Sequence, residues 1–200
     1  MVTINPVRGT KDLLPQEKKI HNKIITTSRN ISELYGYLDV QTPIFESSEV
    51  FSKPLGESSD VVSKETYNFN DRNDDLLTLR PEGTASIMRA VLSNSLTQNL
   101  PIRWFYSGPM FRYERPQKGR LRQFHQIGCE LIGSHSYLSD IEIILCSYRV
   151  LNSLSVLDHC NLKLNTLGDT ESRKLYRRKL VEYLQSNKKY LSADSKNRIN

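Results

Sequence analysis

Two runs rich in aromatic and β-branched residues, Ile102-Arg-Trp-Phe-Tyr-Ser-Gly-Pro-Met-Phe111 and Gln123-Phe-His-Gln-Ile-Gly-Cys-Glu-Leu-Ile132, flank eleven residues that include a proline and a glycine. Residues of that kind suit strands. Pro116 and Gly119 suit a turn, so the economical fold is an antiparallel hairpin with a long loop. Strand side chains alternate between faces, which places Gln126, Gly128 and Glu130 on one side and His125, Ile127, Cys129 and Leu131 on the other. The second set is mostly apolar and is expected to face a core. The first sets an amide and a carboxylate on either side of a residue without a side chain, leaving room for a small polar ligand.

The loop between the runs, Arg112 to Arg122, carries five cations against one carboxylate. A solvated hairpin loop would account for that, and so would a phosphate-holding loop. A second feature bears on the choice. At Thr78-Leu-Arg-Pro-Glu-Gly-Thr84 a strand is expected to run directly into a helix, with Pro81 at the first helical position and Glu82 and Thr84 in the first turn. Ala85, Met88, Val91, Leu92 and Leu96 follow at helical spacing and predict one face packed on a sheet. An acidic residue in that turn complements the helix dipole, a role compatible with ligand binding.

These segments resemble the histidyl-tRNA synthetase family. The run Gly108-Pro-Met-Phe-Arg-Tyr-Glu-Arg-Pro-Gln-Lys-Gly-Arg-Leu-Arg-Gln-Phe-His-Gln-Ile-Gly-Cys-Glu130 is similar to its second signature motif. Val7-Arg-Gly-Thr-Lys-Asp-Leu-Leu-Pro15, Thr42-Pro-Ile-Phe-Glu46 with Gly56-Glu57 and Asp60-Val-Val62, and Leu77-Thr-Leu-Arg-Pro-Glu-Gly-Thr84 resemble the family in the same order. The resemblance implies ATP-dependent activation of histidine and its transfer to the 3′ end of a transfer RNA. The first step is attack of a carboxylate oxygen on the α-phosphorus with loss of pyrophosphate. That reaction needs alignment and charge stabilisation more than covalent help.

By resemblance, Arg112 bridges the histidine carboxylate and the α-phosphate, where a planar fork of donors suits both oxyanions. Arg120 and Arg122 are expected near the distal phosphates or the RNA end, Phe124 under the adenine and Glu114 at its edge. Glu82, Thr84 and Gln126 would take the α-ammonium group of histidine, and Glu130 would accept from its imidazole. Arg115, Gln117 and Lys118 would meet the acceptor stem, with Gln117 able to read a base edge, although Lys118 also fits a general positive field. The region around Pro43 would form a homodimer interface, where Pro43 is either a contact or a strand punctuator.

The implied fold is α+β, a class II synthetase-like antiparallel sheet flanked by helices and incomplete on the C-terminal side. Chains of the family continue with a third motif, a second histidine-binding segment and an anticodon-binding domain. Residues 1–185 therefore read as part of a catalytic domain and 186–200 as a polar tail. A chain of this extent is expected to be inactive alone, with an unpaired sheet edge. The family fold also serves a histidine-sensing regulatory subunit of ATP phosphoribosyltransferase, but the full basic loop favours the synthetase. A generic RNA-binding module would leave Glu82, Gln126 and Glu130 without a purpose.

Composition agrees with polyanion contact: 28 Lys+Arg against 22 Asp+Glu give a formal charge of +6. No apolar stretch reaches the ~20 residues needed to cross a bilayer, and the start lacks a signal-peptide core, so a cytoplasmic protein is expected. Cys129, Cys146 and Cys160 are too far apart for a Cys-x-x-Cys metal site and are expected reduced. The histidines at 21, 125, 135 and 159 show no zinc spacing, so any essential metal would be magnesium carried in with ATP.

Elsewhere, a helix is expected over about 16–35 with Ile20, Ile24, Ile31 and Leu34 on one side, then an extended 37–45. Residues 66–69 and 76–80 read as a hairpin around Asp71–Asp75. A helix over 139–155 presents Ile141, Ile144, Leu145, Tyr148 and Leu151 at helical spacing. Cys160–Thr166 alternates like a half-buried strand, and Asp169 can cap a last helix to about Leu184.

Overall fold

The computed structural model describes residues 3–55, 65–166, 168–197 and 199. Gly56, Glu57 and Asp60–Val62, part of the first-motif resemblance, lie outside them. The chain divides into two compact units, residues 1–159 and 160–200.

In the first unit, helix α1 (Pro15–Leu34) starts where the sequence predicts, with proline in its first turn after an extended Leu14. Strands β1 (Leu38–Asp39) and β2 (Phe45–Ser47) follow, then helix α2 (Glu49–Leu55). The expected extended run over 37–45 is thus broken, and Thr42 and Pro43 fall between two short strands. Strands β3 (Tyr67–Asn70) and β4 (Leu76–Leu79) form the anticipated hairpin, closed by Asp71, whose carboxylate accepts from the amides of Asn73 (2.8 Å) and Asp75 (3.0 Å). Helix α3 spans Thr84–Ser93, β5 spans Ile102–Phe111, β6 spans Gln123–Ile132 and helix α4 spans Tyr137–Ser153.

The strands make two three-stranded sheets, ordered β1-β5-β6 and β2-β4-β3. The hairpin β5/β6 is antiparallel from Ile102↔Ile132 to Phe111↔Gln123, as the alternation implies. Strand β1 runs parallel to β5, so the first sheet is mixed rather than purely antiparallel. Among the described residues β6 pairs on one side only.

The core corrects the expectation about which face is deeper. Ile87, Tyr106 and Met110 form a buried cluster against Val40, Trp104, Phe124 and Ile132, which share the face of Gln126 and Glu130. On the other face Phe105 is buried and Ile127, Cys129 and Leu131 are half-buried, but His125 is exposed. Period-two alternation sorts residues into faces. It does not say which face α3 will cover.

Helix spacing misleads in the same way. Of the α1 stripe only Ile31 is buried, together with Ser28 and Ser32, while Ile20, Ile24 and Leu34 are exposed. In α3, Ala85, Ile87, Ala90 and Val91 are buried, whereas Met88 and Leu92 point outward and Leu96 lies in a following 3₁₀ turn. In α4, Cys146 is buried and Ile141, Leu145 and Tyr148 are exposed.

Arg80 joins the two sheets. Its backbone N–H donates to Ile44 (2.9 Å) and its carbonyl accepts from Phe111 (3.0 Å). Its buried side chain donates to the carbonyls of Thr42 (3.0 Å), Pro43 (3.5 Å) and Pro109 (3.0 Å). The guanidinium occupies the space above Gly108, where an added Cβ would lie 2.2 Å from Nη2. Burial lowers its pKa from the usual arginine value.

The second unit contains helix α5 (Thr170–Ser186), capped as expected by Asp169, which accepts from the Ser172 amide (2.7 Å). The expected strand over 160–166 is absent: these residues are exposed and irregular. Within the polar tail, the described residues form a 3₁₀ turn, Lys188–Tyr190, and a short helix, α6 (Ala193–Asn197). Among the described residues no helix is long and apolar enough to cross a membrane.

Candidate active site

The β5/β6 register sets Trp104 opposite Glu130, Tyr106 opposite Gly128, Gly108 opposite Gln126 and Met110 opposite Phe124. Phe124, Gln126 and Glu130 therefore share one face with the buried Tyr106. The room expected above Gly128 is filled by that tyrosine. A Cβ at Gly128 would lie 2.3 Å from Tyr106 Cζ, and one at Gly83 would lie 2.2 Å from the same ring. The ring thus packs closely against two glycines, and its hydroxyl donates to Glu130 Oε1 over 3.4 Å. Sequence reading missed Tyr106, although its pairing with a glycine was implicit in the hairpin register.

Glu130 also accepts from the Thr84 hydroxyl (2.7 Å). Burial pushes the Glu130 carboxyl above its ordinary value, Glu82 adds to the rise, and the Thr84 and Tyr106 bonds oppose it. Burial and the neighbouring Glu130 likewise raise the Tyr106 phenol. A carboxylate held this way is a strong acceptor for a ligand N–H.

Helix α3 begins at Thr84 rather than Pro81, and the reason lies in Glu82. Its carboxylate accepts from the backbone amides of Thr84 (2.6 Å) and Ala85 (2.8 Å), capping the helix from just outside it. The dipole role and the candidate ammonium role thus fall on one group, since each oxygen keeps a second lone pair. Gln126 points to a ligand more directly. Its Oε1 is buried and has no hydrogen-bond partner among the described residues, a condition that costs about 1–3 kcal/mol unless a donor arrives.

Arg112 links this face to the basic loop. Its Nε donates to the Pro81 carbonyl (2.8 Å), and its guanidinium lies 5.1 Å over the Phe124 ring and 3.7 Å from Glu114. Arg120 approaches the same carboxylate at 3.5 Å. Arg112, Glu114, Arg120 and Phe124 line an open cleft of about 590 Å³ together with Glu65, Gly119, Leu121 and His125. Two cations beside an aromatic platform suit a phosphorylated ligand with a flat ring, and the two carboxylates, Glu65 and Glu114, can accept from its N–H or hydroxyl groups.

Arg122 is turned elsewhere: its guanidinium stacks 4.0 Å over Tyr113, and its Nε donates to the Glu114 carbonyl (3.3 Å). Its amide donates to Gly9 (2.7 Å), which draws the N-terminal Val7–Pro15 segment onto the loop. Gly9 has φ +86°, and a Cβ there would lie 2.7 Å from Arg122 Cγ, so the close approach requires glycine. At the loop tip Gln117 and Arg120 exchange backbone bonds around Gly119, leaving Arg115, Gln117 and Lys118 exposed and outside the cleft. Among the described residues no group of three His, Cys, Asp or Glu could hold a metal ion.

Residues 9–187 match the family described as histidyl-tRNA synthetase. The histidine–tRNA ligase of Rhodospirillum rubrum is 51% identical over 199 residues, which cover 100% of this chain and 48% of that protein. The apo histidyl-tRNA synthetase of S. aureus superposes with a TM-score of 0.78 at 33% identity, over 99% of this chain and 46% of that one. The ATP phosphoribosyltransferase regulatory subunit/histidyl-tRNA synthetase of Bacillus halodurans shares the fold, with a TM-score of 0.67 at 23% identity over 100% of this chain and 55% of that one. The chain thus spans about half the length of the curated relatives it matches. Its motifs, the strands that carry them and the likeness along its whole length agree, and the chain belongs to the histidyl-tRNA synthetase family.

Proposed function

We propose that this chain supplies the amino-terminal part, residues 1–185, of a catalytic domain that activates histidine with ATP and transfers it to the 3′ end of its transfer RNA. In the activation step a histidine carboxylate oxygen bonds to the α-phosphorus as the bond to the β-phosphate oxygen breaks. Arg112 would hold the carboxylate and α-phosphate on either side of that event, with Phe124 under the adenine, Glu114 at its edge and Arg120 toward the distal phosphates. Arg122 would reach those phosphates or the RNA end only after leaving Tyr113. Glu82, Thr84 and Gln126 would take the α-ammonium group and Glu130 the imidazole N–H. Arg115, Gln117 and Lys118 would meet the acceptor stem, and the region around Pro43 would form the dimer contact. Magnesium would enter with ATP, held by phosphate oxygens, and the protein would work in the cytoplasm.

One observation carries this reading: Gln126 Oε1, without a hydrogen-bond partner among the described residues, shares a strand face with Glu130 and Phe124, so an amine, an imidazole and a nucleotide would each find a partner there. A site that hydrogen-bonds a ring N–H rejects amino acids without that donor, because its carboxylate is left unpaired. Calorimetric titration of histidine and ATP into the protein and its Glu130→Ala variant tests this. Loss of histidine binding with retained ATP binding is expected. Equal loss of both would overturn the assignment, and histidine binding without ATP binding in the unaltered protein would favour a sensing role.

A further inference from the structure

On the face of β6 opposite the candidate active site, three elements meet through sulfur. Ser32 Oγ of α1 lies 3.2 Å from Cys129 Sγ of β6 and 3.8 Å from Cys146 Sγ of α4. The serine donates its own proton to the Ser28 carbonyl (2.8 Å), so toward the sulfurs its oxygen can only accept. Around that shared oxygen the interaction between the two thiols pulls the Cys146 pKa down to about 7 and pushes that of Cys129 up. The pair therefore shares protons and holds thiolate character near neutral pH. Cys146 is buried, at 2% exposure, but Cys129 lines an open cleft of about 290 Å³ beside Ser134, His135, Ser139 and Asp140, which admits a small molecule from solvent.

We propose that Cys129 and Cys146 form a peroxide-oxidisable dithiol that closes to an intramolecular disulfide. The Cys129 proton first passes to the Cys146 thiolate; the Cys129 thiolate so formed bonds to one oxygen of hydrogen peroxide as the O–O bond breaks, and the departing hydroxide takes the proton back from Cys146 to leave as water. The Cys146 thiolate then displaces hydroxide from the resulting sulfenic acid, so the thiol–thiolate pair is oxidised to a disulfide and one peroxide is reduced to water and hydroxide. Closure to about 2.05 Å draws β6 toward α4 at the residue next to Glu130. Only this last consequence rests on the reading of Glu130 as a histidine contact.

Graded peroxide treatment of the purified protein, alkylation of remaining thiols and mass spectrometry of a non-reducing digest tests the proposal, with exposed Cys160 as an internal reference. The expected product is a peptide linking Cys129 to Cys146, lighter by two hydrogens than its parts, formed at lower dose than any change at Cys160 and reversed by dithiothreitol. In Cys146→Ser the link disappears and Cys129 advances to sulfinic acid. Oxidation of Cys160 first, or sulfinic acid at Cys129 without a link in the unaltered protein, would overturn it. Histidine titration of the oxidised protein should show binding roughly tenfold or more weaker, as for a displacement near 1 Å, and restored on reduction. A link with unchanged histidine affinity would overturn the coupling to Glu130 while leaving the candidate site intact.

Discussion

Gly128→Ala should be costly although it adds a single methyl group. That methyl carbon would lie 2.3 Å from Tyr106 Cζ and 2.4 Å from its hydroxyl oxygen. Ordinary carbon contacts sit at about 3.5–4.0 Å, so the ring would have to move by more than about 1 Å. Its room is limited, because a Cβ built at Gly83 would also lie 2.2 Å from this ring, so the Gly83 backbone packs closely against it as well. Overpacking of this kind costs about 1–3 kcal/mol, and loss of the Tyr106 bond to Glu130 adds about 0.5–1.5 kcal/mol. For a chain of this size a penalty of about 2–4 kcal/mol lowers Tm by roughly 5–15 °C. Circular dichroism melts of Gly128→Ala measure it, and a cycle with Tyr106→Val isolates the cause. With the ring gone, the same alanine should cost less than about 0.5 kcal/mol. An equal fall in Tm in both backgrounds, or no fall in either, would refute this close packing.

Three further outcomes follow from the charges. Glu130 has a raised folded pKa, so its contribution favours the fold below the unfolded value of 4.5 and is lost as pH rises through the folded value. Glu130→Gln should therefore melt higher than the unaltered protein at pH 8, with the gap closing by pH 4; melts across that range decide it. Glu142 behaves oppositely: Arg103 holds it below its ordinary value through bonds of 2.8 and 3.0 Å, so its contribution is present above the unfolded pKa and fades as pH falls through the folded one. With side chains 24% and 33% exposed, the pair should be worth no more than about 1 kcal/mol, and Glu142→Gln should lower Tm at pH 7 but not at pH 3. Arg112→Lys loses the Pro81 bond and the planar stack on Phe124, and histidine-dependent exchange of pyrophosphate into ATP by the whole protein should drop about 10²-fold or more.

The hairpin was legible in the sequence because a two-residue period and a turn-rich insertion leave few registers for Ile102–Ile132. The loop cations were legible as residues, but their directions were not. Arg112 and Arg120 reach the cleft while Arg122 lies on Tyr113, a choice made by the amide of Arg122 pairing with distant Gly9. The start of α3 was misplaced because Pro81 suits a first helical turn, whereas the Glu82 carboxylate reaches past Gly83 to the free amides. Periodicity in α1 and α4 grouped Ile20 with Ile31 and Ile141 with Leu145, but burial depends on which neighbours arrive. Tyr106 needed the register and the placement of α3 together before its position against Gly83 and Gly128 emerged.

The Arg80 anchor also constrains how the chain can change over evolutionary time. Its three carbonyl partners span Thr42 to Pro109, and the space it fills excludes any side chain at Gly108. A lysine would present one ammonium where a fork of donors is required, so the guanidinium cannot be exchanged alone. A substitution at Gly108 should therefore cost less in a background where Arg80 is shortened than in one where it is kept. Positions 28 residues apart in the chain thus compete for one space, and a side chain at Gly108 would have to displace the Arg80 guanidinium from its carbonyl partners.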